Sequence, residues 1–468
     1  MFFVYGHGGT GKTFLWNTII NGIRTEGKIV LAVASSGIAS LLLPGGRTAH
    51  SRFKIPINIE ECSTCKISKQ TQLARLIEKT TLIVWDEAPM IHRNCLEALN
   101  KTLQDLLSET TPEASTKPFG GKTIVLGGDF RQILPVIQYG SKEDIINATI
   151  TQSQLWKECK VLKLNTNMRL HRNNLDEESR DQLREFAEWL LQIGDGTIAS
   201  IEKNHNDLDE GDWIEIPQSL LVENLGNPIQ SIIEAIYPQF QLNYAKTEYL
   251  RQRAIVTPYN ETISNEIKAD EKKYLSSDYI SKASTSADAN APLYTTEFLN
   301  TLKFTGIPNH ELTLKIGCVI MLIRNISQTN GLCNGTRLII TQMHHNILEA
   351  VIISGSNIGD KVYIPRIIMP VQEGKWQFIM CRKQFPVKLS YAMTINKSQG
   401  QTLELVGLFL PKPVFSHGQL YVALSRVSSV EGLKVLILDD NGKNTNKTKN
   451  VVYKEIFDSI EINSDPGR

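Results

Sequence analysis

Gly6-His7-Gly8-Gly9-Thr10-Gly11-Lys12-Thr13 fits the pattern G-x-x-x-x-G-K-[ST] in full. A phosphate needs several backbone N–H groups aimed at one point. The glycines let the chain curl that tightly with no Cβ in the way. Lys12 is placed to reach the β- and γ-phosphates of a nucleotide, and the Thr13 hydroxyl to ligate Mg²⁺. Farther on, Thr81-Leu82-Ile83-Val84-Trp85 runs straight into Asp86-Glu87. Asp86 is expected to hold the Mg²⁺, and Glu87 to orient and deprotonate an attacking water. The bland alternatives are a Gly-rich turn that only joins a strand to a helix and a solvated acidic pair at a strand end. The two patterns together, in this order, argue against both.

Weaker signals follow. Gly128-Asp129-Phe130-Arg131-Gln132 is a polar tip after an apolar run, and Gln132 has the donor to sense a γ-phosphate. Arg169, in Asn167-Met168-Arg169, could stabilise transferred charge, although such an arginine is more often a salt-bridge partner. The stretch 45–56 interleaves Arg47, Arg52, Lys54, His50, Ser51 and Phe53 ahead of Pro56. Cations and hydroxyls suit the phosphates of a single strand, and an aromatic suits a base. The alternative is a solvated loop with Phe53 tucked into the core.

These groups must sit on particular elements. Phe2-Phe3-Val4-Tyr5 is a short β-prone run before the loop, and Phe14 to Ile20 is helix-like after it. Lys28–Val33, Thr81–Asp86, Lys122–Gly127 and Lys160–Leu164 read as further buried strands. In a parallel sheet their carboxyl ends line one ligand crevice. A helix is expected from Pro89 to about Leu107, a loop over 108–121, a helix over 177–191, a surface loop over 195–212 and an exposed loop over 271–300. Arg253–Thr257 reads as a strand leading into Pro258-Tyr259-Asn260 and a helix. Short β-prone runs at 319–323, 337–340, 350–353 and 376–380, separated by turns such as Asn334-Gly335, predict a small barrel-like β insert over 315–385. The segment from Tyr391 is expected to start helical and end in the polar loop Lys397-Ser398-Gln399-Gly400. A helix over 416–424 places Arg426 just past its end.

The chain has 468 residues, enough for two or three domains. Its net charge of +1 means that a nucleic acid would be held by a local basic groove and not by overall charge. Seven irregularly spaced cysteines favour a reducing compartment over a disulfide framework. The lone Cys62-x-x-Cys65 lacks the second ligand pair that a zinc site needs. The uncharged stretch 29–46 is interrupted by Ser35-Ser36-Gly37 and ended by Pro44-Gly45-Gly46, so it reads as strand, turn and short helix, not as a membrane span.

In combination these motifs resemble the Pif-type (petite integration frequency) DNA helicases of superfamily 1. The resemblance rests on the phosphate loop, Ala34-Ser-Ser-Gly-Ile-Ala39, Trp85-Asp-Glu-Ala-Pro-Met90, Gly127-Gly-Asp-Phe-Arg-Gln132 and Asn167-Met-Arg169. It continues in Thr257-Pro-Tyr-Asn260, Lys397-Ser-Gln-Gly-Gln-Thr402 and Tyr421-Val-Ala-Leu-Ser-Arg-Val427. It implies an α/β chain with two RecA-like P-loop NTPase motor domains, over 1–166 and over 167–314 with 386–468. The β insert would be an SH3-like subdomain of the second. ATP and Mg²⁺ would lie between the motor domains, with Gly6, Gly8, Gly9, Thr10, Gly11, Lys12, Thr13, Gln399 and Gly400 on the nucleotide. Arg169 and Arg426 would complete the site. Single-stranded DNA would meet Arg47, His50, Ser51, Phe53, Pro56, Thr257, Tyr259, Asn260, Lys397 and Ser398. Tyr259 could stack on a base or pack on its own domain, and many relatives carry His where Asn396 stands.

The implied activity is ATP-driven 5′ to 3′ movement on single-stranded DNA with duplex unwinding, in repair, recombination and telomere maintenance. The implied partners are single strands and single-strand/duplex junctions, met by a monomer and without a membrane. A nuclear location, or a mitochondrial one, follows from the resemblance alone. The chain starts almost at its phosphate loop, so an N-terminal piece is expected to be missing, including the glutamine-bearing segment that recognises adenine in relatives. An N-terminally truncated or transposon-derived copy that binds DNA but hydrolyses ATP poorly is therefore one alternative. A small-molecule kinase is another, opposed by the motifs around Arg169 and Arg426 and by a second domain as large as the first.

Overall fold

The computed structural model describes residues 1–462 except 172–175, 202–210, 224–225, 244–245, 259–270, 282–293, 305, 356 and 372–377. The chain forms two compact units: Met1–Ile236 with Ile255–Pro258 and Thr394–Arg468, and Tyr237–Ala254 with Tyr259–Met393. Residues 315–385 all fall in the second.

The first unit is built on six strands: β1 (Phe2–Gly6), β2 (Ile29–Ala34), β3 (Arg47–Thr48), β4 (Thr80–Asp86), β5 (Thr123–Gly128) and β6 (Lys160–Leu164). Their order is β3-β2-β4-β5-β1-β6, with every neighbouring pair parallel. Parallel strands need both faces covered, which is why these segments read as near-continuous apolar runs. The helices α1 (Lys12–Thr25), α2 (Gly37–Leu41), α3 (Ala49–Phe53), α4 (Gln72–Lys79), α5 (Arg93–Ser108), α6 (Lys142–Ala148) and α7 (Glu177–Asp195) lie between and after them. Trp16 and Ile20 of α1 pack on Val4, Val30, Ala32 and Val84 of the sheet. Phe3 lies against Phe130 and Trp156, with ring centroids 5.1 and 5.3 Å apart. The order β4-β5-β1-β6 sets four strand ends side by side. Asp86, Gly128, Gly6 and Leu164 end these strands, so their loops share one edge.

A second sheet of the first unit is built on the parallel pair Leu405–Leu410 and Leu433–Leu438, with Asn444–Thr445 antiparallel beside the latter. The helix Gln419–Leu424 in the same half is buried on all six residues.

The second unit is dominated by antiparallel strands. One sheet has the order Lys361–Pro365, Ile347–Ile352, Arg337–Met343, Val319–Leu322, Val387–Leu389. Another has Ser277–Ile280, Met380–Gln384 and Ile367–Val371. Its polar hub is a fully buried pair: Arg382 grips Asp278 at 2.6–3.0 Å and donates to the carbonyls of Leu299, Leu302 and Pro308.

Several expectations from sequence need correction. The helix expected from Pro89 starts at Arg93: Ala88–Met90 makes a 3₁₀ turn, and the His92 ring accepts the Asn94 N–H to cap the helix proper. The loop expected over 271–300 contains the strands Glu271–Leu275 and Ser277–Ile280. The first pairs with Glu311–Lys315, a partner far along the chain. The segment expected to start helical at Tyr391 begins as the strand Ala392–Thr394, and Ile395–Ser398 makes one helical turn. The helix expected over 177–191 runs on to Asp195, where Gly196 at φ 63° ends it. The helix expected after Asn260 lies outside the described residues.

Candidate nucleotide-hydrolysis site

The phosphate loop joins β1 to α1. Gly9 and Gly11 adopt φ values of 94° and 86°, the left-handed region that side chains disfavour. Gly6 is buried at the strand end, Gly8 is exposed, and Thr10 closes the turn by donating to the His7 carbonyl at 2.9 Å. Lys12 lies over the loop, donating to the carbonyls of Gly6 and His7. Thr13, in the first turn of α1, is exposed.

Asp86 and Glu87 leave β4 on the same edge. Asp86 is 7 % exposed, and its Oδ1 has no hydrogen-bond partner. Burial raises its pKa, and the Lys12 charge opposes the shift. A buried, unpaired carboxylate oxygen and an exposed hydroxyl are hard oxygen donors of the kind that Mg²⁺ takes beside nucleotide phosphates. Among the described residues no cluster of three or more His, Cys, Asp or Glu could hold a metal, so Thr13 and Asp86 would act together with phosphate oxygens. Glu87 holds a left-handed φ of 52°, unusual for a residue with a side chain. Its pKa is pushed up to about 7, first by burial and then by the Asp86 charge, against Lys12 and Arg426. That places its proton affinity near the range that suits a general base.

Three further predicted residues come together. The Gln399 amide donates to Gln132 Oε1 at 2.8 Å, and both side chains are buried. Arg426 is 7 % exposed. It donates to the carbonyls of Val422, Ser398 and Gln401 and to Ser425 Oγ, so it clamps the turn that carries Gln399. In this structure Arg426 thus ties the end of its own helix to that turn, while its charge still reaches Glu87. Gly400 has φ 77° at that turn. Arg169 belongs to a 3₁₀ turn, Met168–His171, docked on the phosphate loop by the Met168 N–H on the Gly9 carbonyl at 2.9 Å. Beside it opens a cavity of about 230 Å³ lined by Arg169, Gln182, Ser428 and Glu431 among others.

The residues expected on DNA divide. Arg47 is exposed on the edge strand β3, and Ser51, Pro56 and Lys397 are half-buried. His50 is half-buried with Nε2 3.9 Å from Cys95 Sγ, and burial lowers its pKa. Phe53 needs correction: it is fully buried, with its ring centroid 6.1 Å from that of Trp85, so it is a core residue and offers no face to a base. Ser398 is also fully buried, its hydroxyl donating to the Ile395 carbonyl at 2.7 Å, which takes it off the surface. Thr257 is 4 % exposed at the end of its strand. Tyr259 and Asn260 lie outside the described residues.

Sequence reasoning gave no role to Asp129, Arg131, Asp195, His417 or Tyr421. Asp129 is fully buried and accepts the Tyr421 hydroxyl at 2.9 Å and the Arg131 N–H at 3.1 Å. Arg131 makes two bonds to Asp195, at 2.7 and 3.1 Å. The fully buried His417 accepts the Tyr453 N–H at Nδ1 and meets the Phe130 carbonyl through Nε2, both at 2.8 Å. This pattern fixes the neutral tautomer with its proton on Nε2. The signal available was the polar tip after β5, but its partners lie nearly three hundred residues away along the chain.

Residues 1–204 match the family model described as PIF1-like helicase, and residues 297–343 match that of the DNA helicase Pif1 2B domain. Together they span more than half of the chain. The ATP-dependent DNA helicase PIF1 of Danio rerio is 25% identical over 473 residues, covering 97% of this chain and 61% of the relative. The human protein of that name is 24% identical, covering 93% and 58%, and the Campylobacter jejuni Pif1 is 26% identical, covering 92% and 88%. The chain thus spans about six tenths of the length of its vertebrate relatives. Among solved structures, Bacteroides Pif1 bound to single-stranded DNA is similar with a TM-score of 0.63 and 21% identity, covering 92% of this chain and 88% of that one. Candida albicans Pif1 gives 0.58 and 22%, covering 99% and 95%. The α/β architecture, with RecA-like motor folds and a β insert, is therefore the one these helicases share. Residues 1–204 thus carry the match to the PIF1-like helicase family, and the chain is similar to Pif1 helicases over nearly its whole length.

Proposed function

We propose that the protein is an ATP-dependent DNA helicase that couples hydrolysis to 5′ to 3′ movement along single-stranded DNA. The observation that carries this reading is the buried pair at the end of β4. Asp86 keeps an unpaired oxygen there, and Glu87 has a proton affinity near neutrality, within electrostatic reach of both Lys12 and Arg426. Lys12 and the N–H groups of the phosphate loop would bind and orient the triphosphate. Thr13 and Asp86 would hold Mg²⁺, which when bound neutralises charge on the β- and γ-phosphates. Glu87 would orient the attacking water and take its proton. Gln132 and Gln399, bonded to each other, would report the state of the γ-phosphate to the second half of the chain. Support for DNA as the track comes from relatives whose names and structures specify DNA helicase, single-stranded DNA, forked duplex DNA and ADP-AlF₃. On this chain Arg47 and Lys397 are candidates for DNA phosphates. Work as a monomer at single-strand/duplex junctions, in nuclear repair, recombination and telomere maintenance, completes the proposal.

The test is ATP hydrolysis with and without single-stranded DNA, in wild type and Glu87→Gln. Strong stimulation by DNA is expected, with a loss of about 10²–10⁴-fold in the variant. Partial duplexes with a 5′ or a 3′ overhang read the polarity. Turnover indifferent to DNA would sink the helicase reading.

A further inference from the structure

The loop after β5 is held by the later part of the chain at every step. Asp129 takes the Tyr421 hydroxyl, the Phe130 carbonyl meets His417, and Gln132 takes the Gln399 amide. Between them the backbones touch: a Cβ on Gly418, whose φ is 72°, would lie 2.4 Å from the Arg131 carbonyl oxygen and 2.7 Å from the Gln132 carbonyl carbon. Glycine is needed there on both counts. Tyr421 lies in the six-residue helix Gln419–Leu424, and the next residue, Val422, gives its carbonyl to Arg426 Nε at 2.7 Å. One helical turn therefore joins Asp129 to Arg426. Asp129 has no other side-chain hydroxyl bonded to it among the described residues, and a buried carboxylate depends strongly on each donor.

We propose that Tyr421 is a positioning residue for hydrolysis: its bond to Asp129 keeps the loop bearing Gln132 and the helix preceding Arg426 in one register. This rests on the ATPase reading above. Tyr421 touches no reacting atom. It acts by fixing where Gln132, Gln399 and Arg426 stand relative to Glu87.

Tyr421→Phe removes one oxygen and keeps the ring. In the full chain, kcat of DNA-stimulated hydrolysis is expected to fall about tenfold to a hundredfold, the cost of stripping a charge-assisted bond from a buried carboxylate. KM for ATP and affinity for single-stranded DNA should stay within about twofold, because the residues that Tyr421 positions act at the chemical step. Asp129→Ala removes the acceptor and also a partner of Arg131, so its kcat should fall at least as far, and the double variant should be no worse than Asp129→Ala alone, because the bond between the two side chains is already gone. A kcat unchanged in Tyr421→Phe overturns the proposal. So does a loss of kcat that comes with a comparable rise in KM and a fall in thermal stability. If the wild type does not hydrolyse ATP, the ATPase reading fails by itself. The positioning role is then read by amide exchange of residues 129–132 with a non-hydrolysable ATP analogue. Protection lost in Tyr421→Phe upholds it, and equal protection in both proteins overturns it.

Discussion

His417 gives the sharpest test of how the first unit is held together. Its ring is fully buried, and burial pushes its pKa down to about 4 from 6.5, although the Phe130 carbonyl, Asp129 and Glu455 all favour the cation. The cause is geometric as well: a proton on Nδ1 would point at the Tyr453 N–H that this nitrogen now accepts. The unfolded ring binds a proton more readily than the folded one, so acid favours unfolding. The contribution is complete above pH 6.5 and is lost as pH falls toward 4. The full loss is about 3 kcal/mol, and about 2 kcal/mol is gone by pH 5. His417→Gln cannot accept at the Nδ1 position, which leaves the Tyr453 N–H unpaired and costs about 1–3 kcal/mol at pH 7.5. The variant does not titrate, so the gap should close by pH 5. Urea unfolding followed by tryptophan fluorescence at the two pH values measures it, and other titrating groups cancel in the difference. Parallel curves, with the gap at pH 5 equal to that at 7.5, would refute the reasoning.

Two further outcomes follow from burial. Phe53→Ala should lower stability by about 3–5 kcal/mol, as for a buried aromatic, while single-stranded DNA affinity per folded molecule stays within about twofold. A selective loss of DNA affinity in fluorescence anisotropy would restore the base-stacking role. In the second unit, Asp278→Ala leaves Arg382 charged and buried with carbonyls alone, which should cost about 3–5 kcal/mol. Limited proteolysis and thermal melting would detect it, and an unchanged melting temperature would contradict the account of that hub.

The sequence by itself determined the local chemistry. A phosphate loop needs its glycines, lysine and threonine within eight consecutive positions, so the pattern carries its own geometry. Continuous apolar runs marked β1, β4 and β5 as buried parallel strands, and the acids at the end of β4 followed from that. Tertiary structure decided what depends on distant partners. Phe53 could have faced a base or the core, and the position of Trp85 settled it. The strand Glu271–Leu275 was hidden because its pairing partner begins at residue 311, and charged residues on its open face mask the alternation. Arg426 read as a group reaching into the site, yet three carbonyls and a hydroxyl hold it between its own helix end and the distant turn Ser398–Gln401. Asp129 and Tyr421 each sat in a recognised motif without a role, because a hydrogen bond between residues 292 positions apart leaves no mark on either neighbourhood. Spacing along a chain reports bonds that close over a few residues. Bonds that close across a fold are reported by the packing that brings their ends together.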